Sequence, residues 1–180
     1  LLDVAMAVLA NQGTGFLNTG SIPGRQGNTH PSVVPYQDFP TADGNMLLAI
    51  GNDGQFARFC EAAGVAWHQD ARFTTNAGRV IHRVEMVTMM SELTVSRSTA
   101  DWIALLEARA VPCGPINNIH QAFEDPQVQA RGLRITQQRY PDGQLPQGEC
   151  INQVVTTASP LRLSDTPATL RYAPPALGQH

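Results

Sequence analysis

A chain of 180 residues, 42% hydrophobic and 15% charged, is long enough to bury one sizeable core and too apolar to be disordered. Its formal net charge of −3, with no polybasic run, argues against a nucleic-acid surface or an anionic-membrane patch and leaves a small molecule or another protein as partner. Cys60, Cys113 and Cys150 stand far apart without C-x-x-C spacing, which sets aside a disulfide framework and a zinc knuckle and fits a reducing, cytoplasmic setting.

Leu1 to Gln12, LLDVAMAVLANQ, reads as the end of an amphipathic helix. Asp3 interrupts the apolar run and no positive segment precedes it, so the stretch is not a signal peptide. Neither end closes with an element of its own, and the chain reads as the middle or C-terminal half of something larger. Gly13 to Pro35 holds five glycines and three prolines, a composition that resists regular structure. Structureless connections beyond about 15 residues are normally functional or linkers. FPTADGNMLLAIGN reads as a β element, with Asp43-Gly44 as its turn and Met46 to Ile50 as a short buried strand. Asn52 then caps a helix with Gln55 at its third position, an apolar stripe of Phe56, Phe59 and Cys60, and Gly64 at its end.

Thr75 or Asn76 caps the clearest helix, with Val80, Val84, Val87, Met90 and Leu93 at helical spacing and the methionines as packing residues. Ser98 and Thr99 open another, in which Trp102, Leu105, Leu106 and Arg109 share a face ahead of Pro112. VPCGPIN is too rich in proline for a central strand and predicts an edge strand or extended connector. Asn118 to Phe123 and Pro126 to Arg131 read as short helices, the second with proline in its first turn and Gly132 beyond its end. From Leu133 the period becomes that of a strand: LRITQQRY, a Pro141-Asp142-Gly143 turn, then ECINQVV and a proline-spaced tail. There is no internal repeat.

Taken singly, the candidate chemical groups have ordinary explanations. His82 lies mid-helix, where a surface or packing role suffices. His68, His120 and His180 have no metal-ligand spacing with Cys, Asp or Glu, so no metal site is expected. No G-x-S-x-G, H-E-x-x-H, Walker or G-x-G-x-x-G motif is present. Cys113 beside Gly114 has no base paired with it in the sequence. Asp38, Asp43, Asp53, Asp70 and Asp101 sit where turn or cap roles suffice. Gly27, Asn28 and His30 differ, because small residues let backbone approach a ligand and histidine exchanges a proton near neutrality.

In combination the blocks say more. GNTHPSVVPYQDFPTADG, AIGNDGQFARFC, DARFTTNAGRVIHR, VPCGPINNIHQAFEDPQVQARG and PPALGQH resemble, in that order and over nearly the whole chain, the C-terminal half of the class III CoA-transferases, a family that also contains α-methylacyl-CoA racemases. The resemblance implies an α+β fold: the small domain of such an enzyme with a linker and a return segment, from an interlocked homodimer whose N-terminal α/β CoA-binding part is absent here. Residues 1–32 would be a helix end and inter-domain linker, 33–131 the small domain, and 132–180 a β hairpin and extended tail returning to the large domain. Some members have a glycine-rich loop near this linker that closes over the active site; here the place holds Gly27, Asn28, Thr29 and His30, without the glycine run.

The family's transferases use an aspartate that attacks the acyl-CoA thioester and passes through an aspartyl-CoA intermediate. That nucleophile and the main CoA contacts precede the segment resembling Leu1 to Gln12, so no catalytic residue is expected in this chain, and Asp3 is a polar-face helix residue. The implied substrates are an acyl-CoA and a carboxylic acid, with coenzyme A as part of the substrate and no permanently bound cofactor. GNxHPSxxPY and GNDxQF look most like members acting on succinyl-CoA and dicarboxylates such as glutarate. A racemase is the alternative, against which Asn52-Asp53 stands where racemase relatives tend to carry Glu-Pro. A non-catalytic docking or dimerisation module is another.

Overall fold

The computed structural model describes residues 1–140, 144–145 and 152–178. The chain forms two compact units, Leu1–Ile116 and Asn117–His180.

The first unit begins with helices α1 (Leu2–Val8) and α2 (Ala10–Thr19). The second overturns part of the sequence expectation, since the stretch from Gly13 was to lack regular structure. Gly13 and Gly15 sit inside α2, where each costs about 1 kcal/mol relative to alanine, and the helix survives them. Asn18 Nδ2 and Thr19 Oγ1 donate to the carbonyls of Thr14 and Gly15 at 2.8 and 2.9 Å and complete the last turn. Gly20, at φ 72°, ends it in the left-handed conformation. Residues 20–35 contain turns but no helix or strand.

Strands β1 (Tyr36–Pro40) and β2 (Asn45–Ala49) form an antiparallel hairpin, Tyr36 facing Ala49 and Pro40 facing Asn45. Met46 and Leu48 are buried while Asn45 and Leu47 are exposed, the alternation of a strand with one face on a core. Helix α3 (Asp53–Ala63) starts at Asn52, whose side chain accepts from Gln55 N at 2.9 Å, and ends at left-handed Gly64; it buries Phe56, Phe59 and Cys60. A short 3-10 turn, Trp67–Gln69, leads to α4 (Asn76–Ile81), capped by Thr75, and α5 (Arg83–Thr94). Helix α6 (Thr99–Glu107) is capped by Ser98 and buries Trp102 and Leu106, and β3 (Cys113–Pro115) pairs with β2. The strand order β1-β2-β3 leaves β3 at an edge, as its prolines require.

The core is an aromatic and aliphatic cluster between sheet and helices. Phe59 and Trp102 stack at 6.3 Å, and the buried indole donates from Nε1 to Thr94 O at 2.7 Å, which satisfies it and fixes the bend between α5 and α6. Asp43 in the hairpin turn accepts from Thr99 N at 2.8 Å and from Thr99 Oγ1 at 3.0 Å, stitching the turn to the start of α6. Of the stripe expected on one long helix, Met90 is buried and Val80, Val87 and Leu93 pack against the core, and Val84 is the member that does not. Val84 is 81% exposed, and Met86, Met90 and Thr94 point inward. The cause is a break at His82 (φ −98°, ψ 28°), which resets the helical phase between α4 and α5.

The second unit contains α7 (Ile119–Glu124), α8 (Pro126–Ala130), and the antiparallel strands β4 (Arg134–Gln138) and β5 (Gln153–Thr157). Asn118 and Gln121 form a reciprocal capping box, Asp125 caps α8 with Pro126 behind it, and Gly132 follows at φ 58°. The two compact units divide at 116/117, ahead of the 131/132 limit expected for the small domain. Leu133 N reaches Val128 O at 3.2 Å and Ala158 N reaches Leu133 O at 2.9 Å, joining the short helices and the hairpin into one body. Gln137 Nε2 and Arg139 Nε donate to Leu170 O and Pro174 O at 3.2 and 3.0 Å, tying down the tail. The expected Pro141-Asp142-Gly143 turn lies outside the described residues.

Candidate functional site

The segment from Gln26 to Pro35 is built from its own backbone outward. Thr29 closes a turn on Gln26 O, with its N at 3.2 Å and its Oγ1 at 2.6 Å. Gly27 stands in that turn at φ 61°, a conformation that disfavours any residue with a Cβ. Asn28 at the tip is exposed. His30 N then donates to Tyr36 O at 2.9 Å, and its ring lies 5.3 Å from the Tyr36 ring. The Nδ1 of His30 accepts from Ser32 N at 3.1 Å. A neutral imidazole whose Nδ1 is an acceptor carries its proton on Nε2. That Nε2–H makes no hydrogen bond among the described residues.

The next residues are gripped from α4 and α5. Asn76 uses both ends of its amide, donating to Ser32 O at 2.8 Å and accepting from Val34 N at 3.0 Å. Arg83 donates to Pro31 O at 2.7 Å. Arg79 is fully buried; it donates from Nε to Val34 O at 2.7 Å, from one terminal nitrogen to Phe73 O at 2.8 Å, and from the other to Asp53 Oδ1 at 2.8 Å. Its guanidinium also lies 4.3 Å from the centre of the Phe56 ring. Thus a buried charge is paired, hydrogen-bonded at every face and stacked, which is what its burial requires. Sequence reasoning missed Arg79. A single arginine three residues into a helix has no spacing signal, and its partners lie at positions 34, 53, 56 and 73.

Elsewhere the expected candidates part company. His82 packs edge-on to Phe73 and lies 3.7 Å from Glu85, within a surface network in which Arg72 bridges Asp70 and Glu85. The Arg72 side chain holds the Asp70 carboxyl down at about 2. Burial pushes the Cys60 thiol up to about 11. Cys113 is pushed up by burial and by the Glu107 charge, the opposite of what a nucleophilic thiolate needs. Among the described residues no group of three or more His, Cys, Asp or Glu is placed to hold a metal ion. Cys150 and His180 lie outside them. His120 lines a groove of about 510 Å³ in the second unit, together with apolar Ile119, Phe123 and Val155 and charged Glu124 and Arg134.

The Gln26–Pro35 segment therefore offers hydrogen-bond donors, Asn28 and His30, on a fixed base, and no nucleophile paired with a base. The family model for CoA-transferase family III matches residues 1–180. The chain belongs to that family. It is 45% identical over its whole length to a succinate–glutarate CoA-transferase of Agrobacterium fabrum, of which it spans 43%, and 32% identical to the human succinyl-CoA:glutarate CoA-transferase, of which it spans 39%. A crystal structure of a CaiB/BaiF family protein from Brucella suis matches 97% of this family III chain, and 43% of that protein, with a TM-score of 0.77 and 37% identity. The chain thus spans less than half the length of the relatives it matches. The mixed α+β architecture expected from the sequence is that of this family's smaller part.

Proposed function

We propose that this chain is the small-domain portion of a CoA-transferase that moves CoA from succinyl-CoA to a dicarboxylic acid of the glutarate type. The observation that carries the reading is the 45% identity, over every residue of the chain, to a succinate–glutarate CoA-transferase. In the reaction an aspartate carboxylate outside this chain attacks the thioester carbonyl and expels the CoA thiolate, giving a mixed anhydride. The thiolate then attacks the aspartyl carbonyl and releases succinate, leaving an aspartyl-CoA thioester. The acceptor carboxylate attacks that thioester and again frees the thiolate, which takes the new acyl group and restores the aspartate. Splitting one exchange into such steps is the advantage of covalent catalysis.

Within this scheme Gly27, Asn28 and His30 belong to the active-site loop, where the Asn28 amide and the His30 Nε2–H hydrogen-bond a substrate carboxylate or the oxyanion formed at each attack. What supports this is the free donor on a turn whose backbone is already tied down. The reading further holds, as what the family resemblance implies, that residues 1–32 enter the small domain, the tail returns to a large domain, and two subunits interlock as a cytoplasmic homodimer. No helix among the described residues is long and apolar enough to cross a membrane. No resident cofactor is needed, because coenzyme A arrives as part of the substrate.

The test is to incubate the full-length protein with succinyl-CoA and glutarate and to follow glutaryl-CoA and succinate. Stoichiometric formation of both is expected, with none from the 180-residue chain alone. Turnover by the chain alone, or none by the full-length protein with any dicarboxylate, overturns the proposal.

A further inference from the structure

The three α4 and α5 side chains that hold the loop do more than fill space. Every carbonyl of the loop that they reach, at Pro31, Ser32 and Val34, is taken by a different donor group. The two amide N–H groups that alternate with them are also occupied, Ser32 N by the His30 ring and Val34 N by Asn76. One of these bonds fixes an imidazole tautomer. If the Ser32 amide turns away, Nδ1 loses its donor and the proton is no longer confined to Nε2. The orientation of Ser32 is in turn set by its own carbonyl, held by Asn76. The N–H that His30 accepts belongs to the Pro31–Ser32 peptide, whose carbonyl Arg83 of α5 holds, and Asn76 holds the carbonyl of the next peptide, so the imidazole is linked to α4 and α5 through Ser32.

We infer that Asn76, Arg79 and Arg83 form a positioning set that fixes the His30–Val34 turn and so aims the His30 Nε2–H. They touch no substrate and act only through His30. The inference rests on the proposed active-site role of the His30 loop, and it also makes a claim about the loop alone. Arg79 is the keystone, since it joins the loop to Asp53 at the start of α3 and to Phe73. Because its removal would leave two buried carbonyls without donors, Asn76 and Arg83, at the edge of the core, are the better probes.

The experiment is a double-mutant cycle in the full-length protein with His30→Ala, Asn76→Ala and the pair, using Arg83→Gln as a second probe. Three quantities are read: kcat and KM for succinyl-CoA to glutarate transfer, the thermal midpoint, and hydrogen–deuterium exchange of the peptide spanning residues 27–36. Asn76→Ala is expected to lower kcat by about ten- to a thousand-fold and to speed exchange in that peptide. In the His30→Ala background it should cause no further loss. Asn76→Asp keeps the acceptor for Val34 N and should restore part of both signals.

Full additivity of Asn76→Ala and His30→Ala overturns the inference, as does unchanged exchange in the loop with either probe. So does acceleration spread evenly over the protein with a matching fall in the midpoint. If His30→Ala alone leaves kcat unchanged, the active-site reading of the loop fails, and the exchange arm still decides whether the set holds it.

Discussion

The stretch from Val34 to Val111 and the rest of the chain are folded on different terms. Every fully buried hydrophobic side chain among the described residues lies in that stretch, from Val34 through Phe39, Met46, Phe56, Trp102 and Leu106 to Val111. Helices α1 and α2 bury none, although they carry Leu2, Val4, Met6, Val8, Leu17 and their neighbours on the surface. The second unit has regular strands and well-formed caps, but its strands alternate between half-buried and exposed positions. Secondary structure can thus be complete where a core is not. Local signals such as caps, glycine stops and alternation suffice for elements, whereas stability comes from apolar area removed from water.

Trp102→Ala should break this contrast most severely, costing about 3–5 kcal/mol. It deletes a fully buried ring that stacks on Phe59 and a hydrogen bond to Thr94. Chemical denaturation of the chain measures it, and a loss below about 1 kcal/mol would mean that this cluster is not the core. Gly78→Ala comes next, at about 1–3 kcal/mol, because a Cβ there would stand 2.4 Å from Arg72 O in the packed approach to α4. A neutral result would show that the Arg72 carbonyl can move aside.

The acid response is smaller. Asp43 is held below the ordinary aspartate value of 3.8, first by the Thr99 backbone and then by its hydroxyl, and Asp70 is held at about 2 by Arg72. Groups depressed in the folded state contribute stability that is present above the unfolded value and lost as pH falls through the folded one. Melting midpoints of the Leu1–Ile116 unit should therefore drop between about pH 4 and pH 2, and Asp43→Asn should flatten part of that slope. An unchanged slope in that variant would show that the Thr99 contact does not operate in solution. The smallest effect is expected from Leu17→Gln in this chain, within about 0.5 kcal/mol, because Leu17 is exposed. A clear loss would sharpen the comparison the other way, by showing that α2 packs on a second copy.

What could be read from the sequence divides along the same line. The cap at Asn52 was legible, and the helix starts at Thr75, Ser98 and Asn118 were legible to within a residue, because each is a contract between neighbours three residues apart. The edge position of β3 followed from its prolines. The continuation of α2 through Gly13 and Gly15 was not legible, since propensity there points the wrong way. Nor was the phase break at His82, which put Met86 rather than Val84 in the core. Of the loop, Gly27 and His30 stood out by residue type. Asn76, Arg79 and Arg83 did not, because their partners lie 42 to 52 positions away in the loop and no local spacing encodes such a meeting.

The functional reading puts the reactive carboxylate outside this chain, and that can be tested by trapping it. Full-length protein incubated with succinyl-CoA and then hydroxylamine should carry a hydroxamate where the aspartyl thioester stood. Peptide mass spectrometry is expected to place that mark on an aspartate outside the 180 residues, and to find Asp3, Asp38, Asp43, Asp53, Asp70 and Asp101 unmodified. A hydroxamate on any carboxylate of this chain, or on none in a protein that turns over, would contradict the reading.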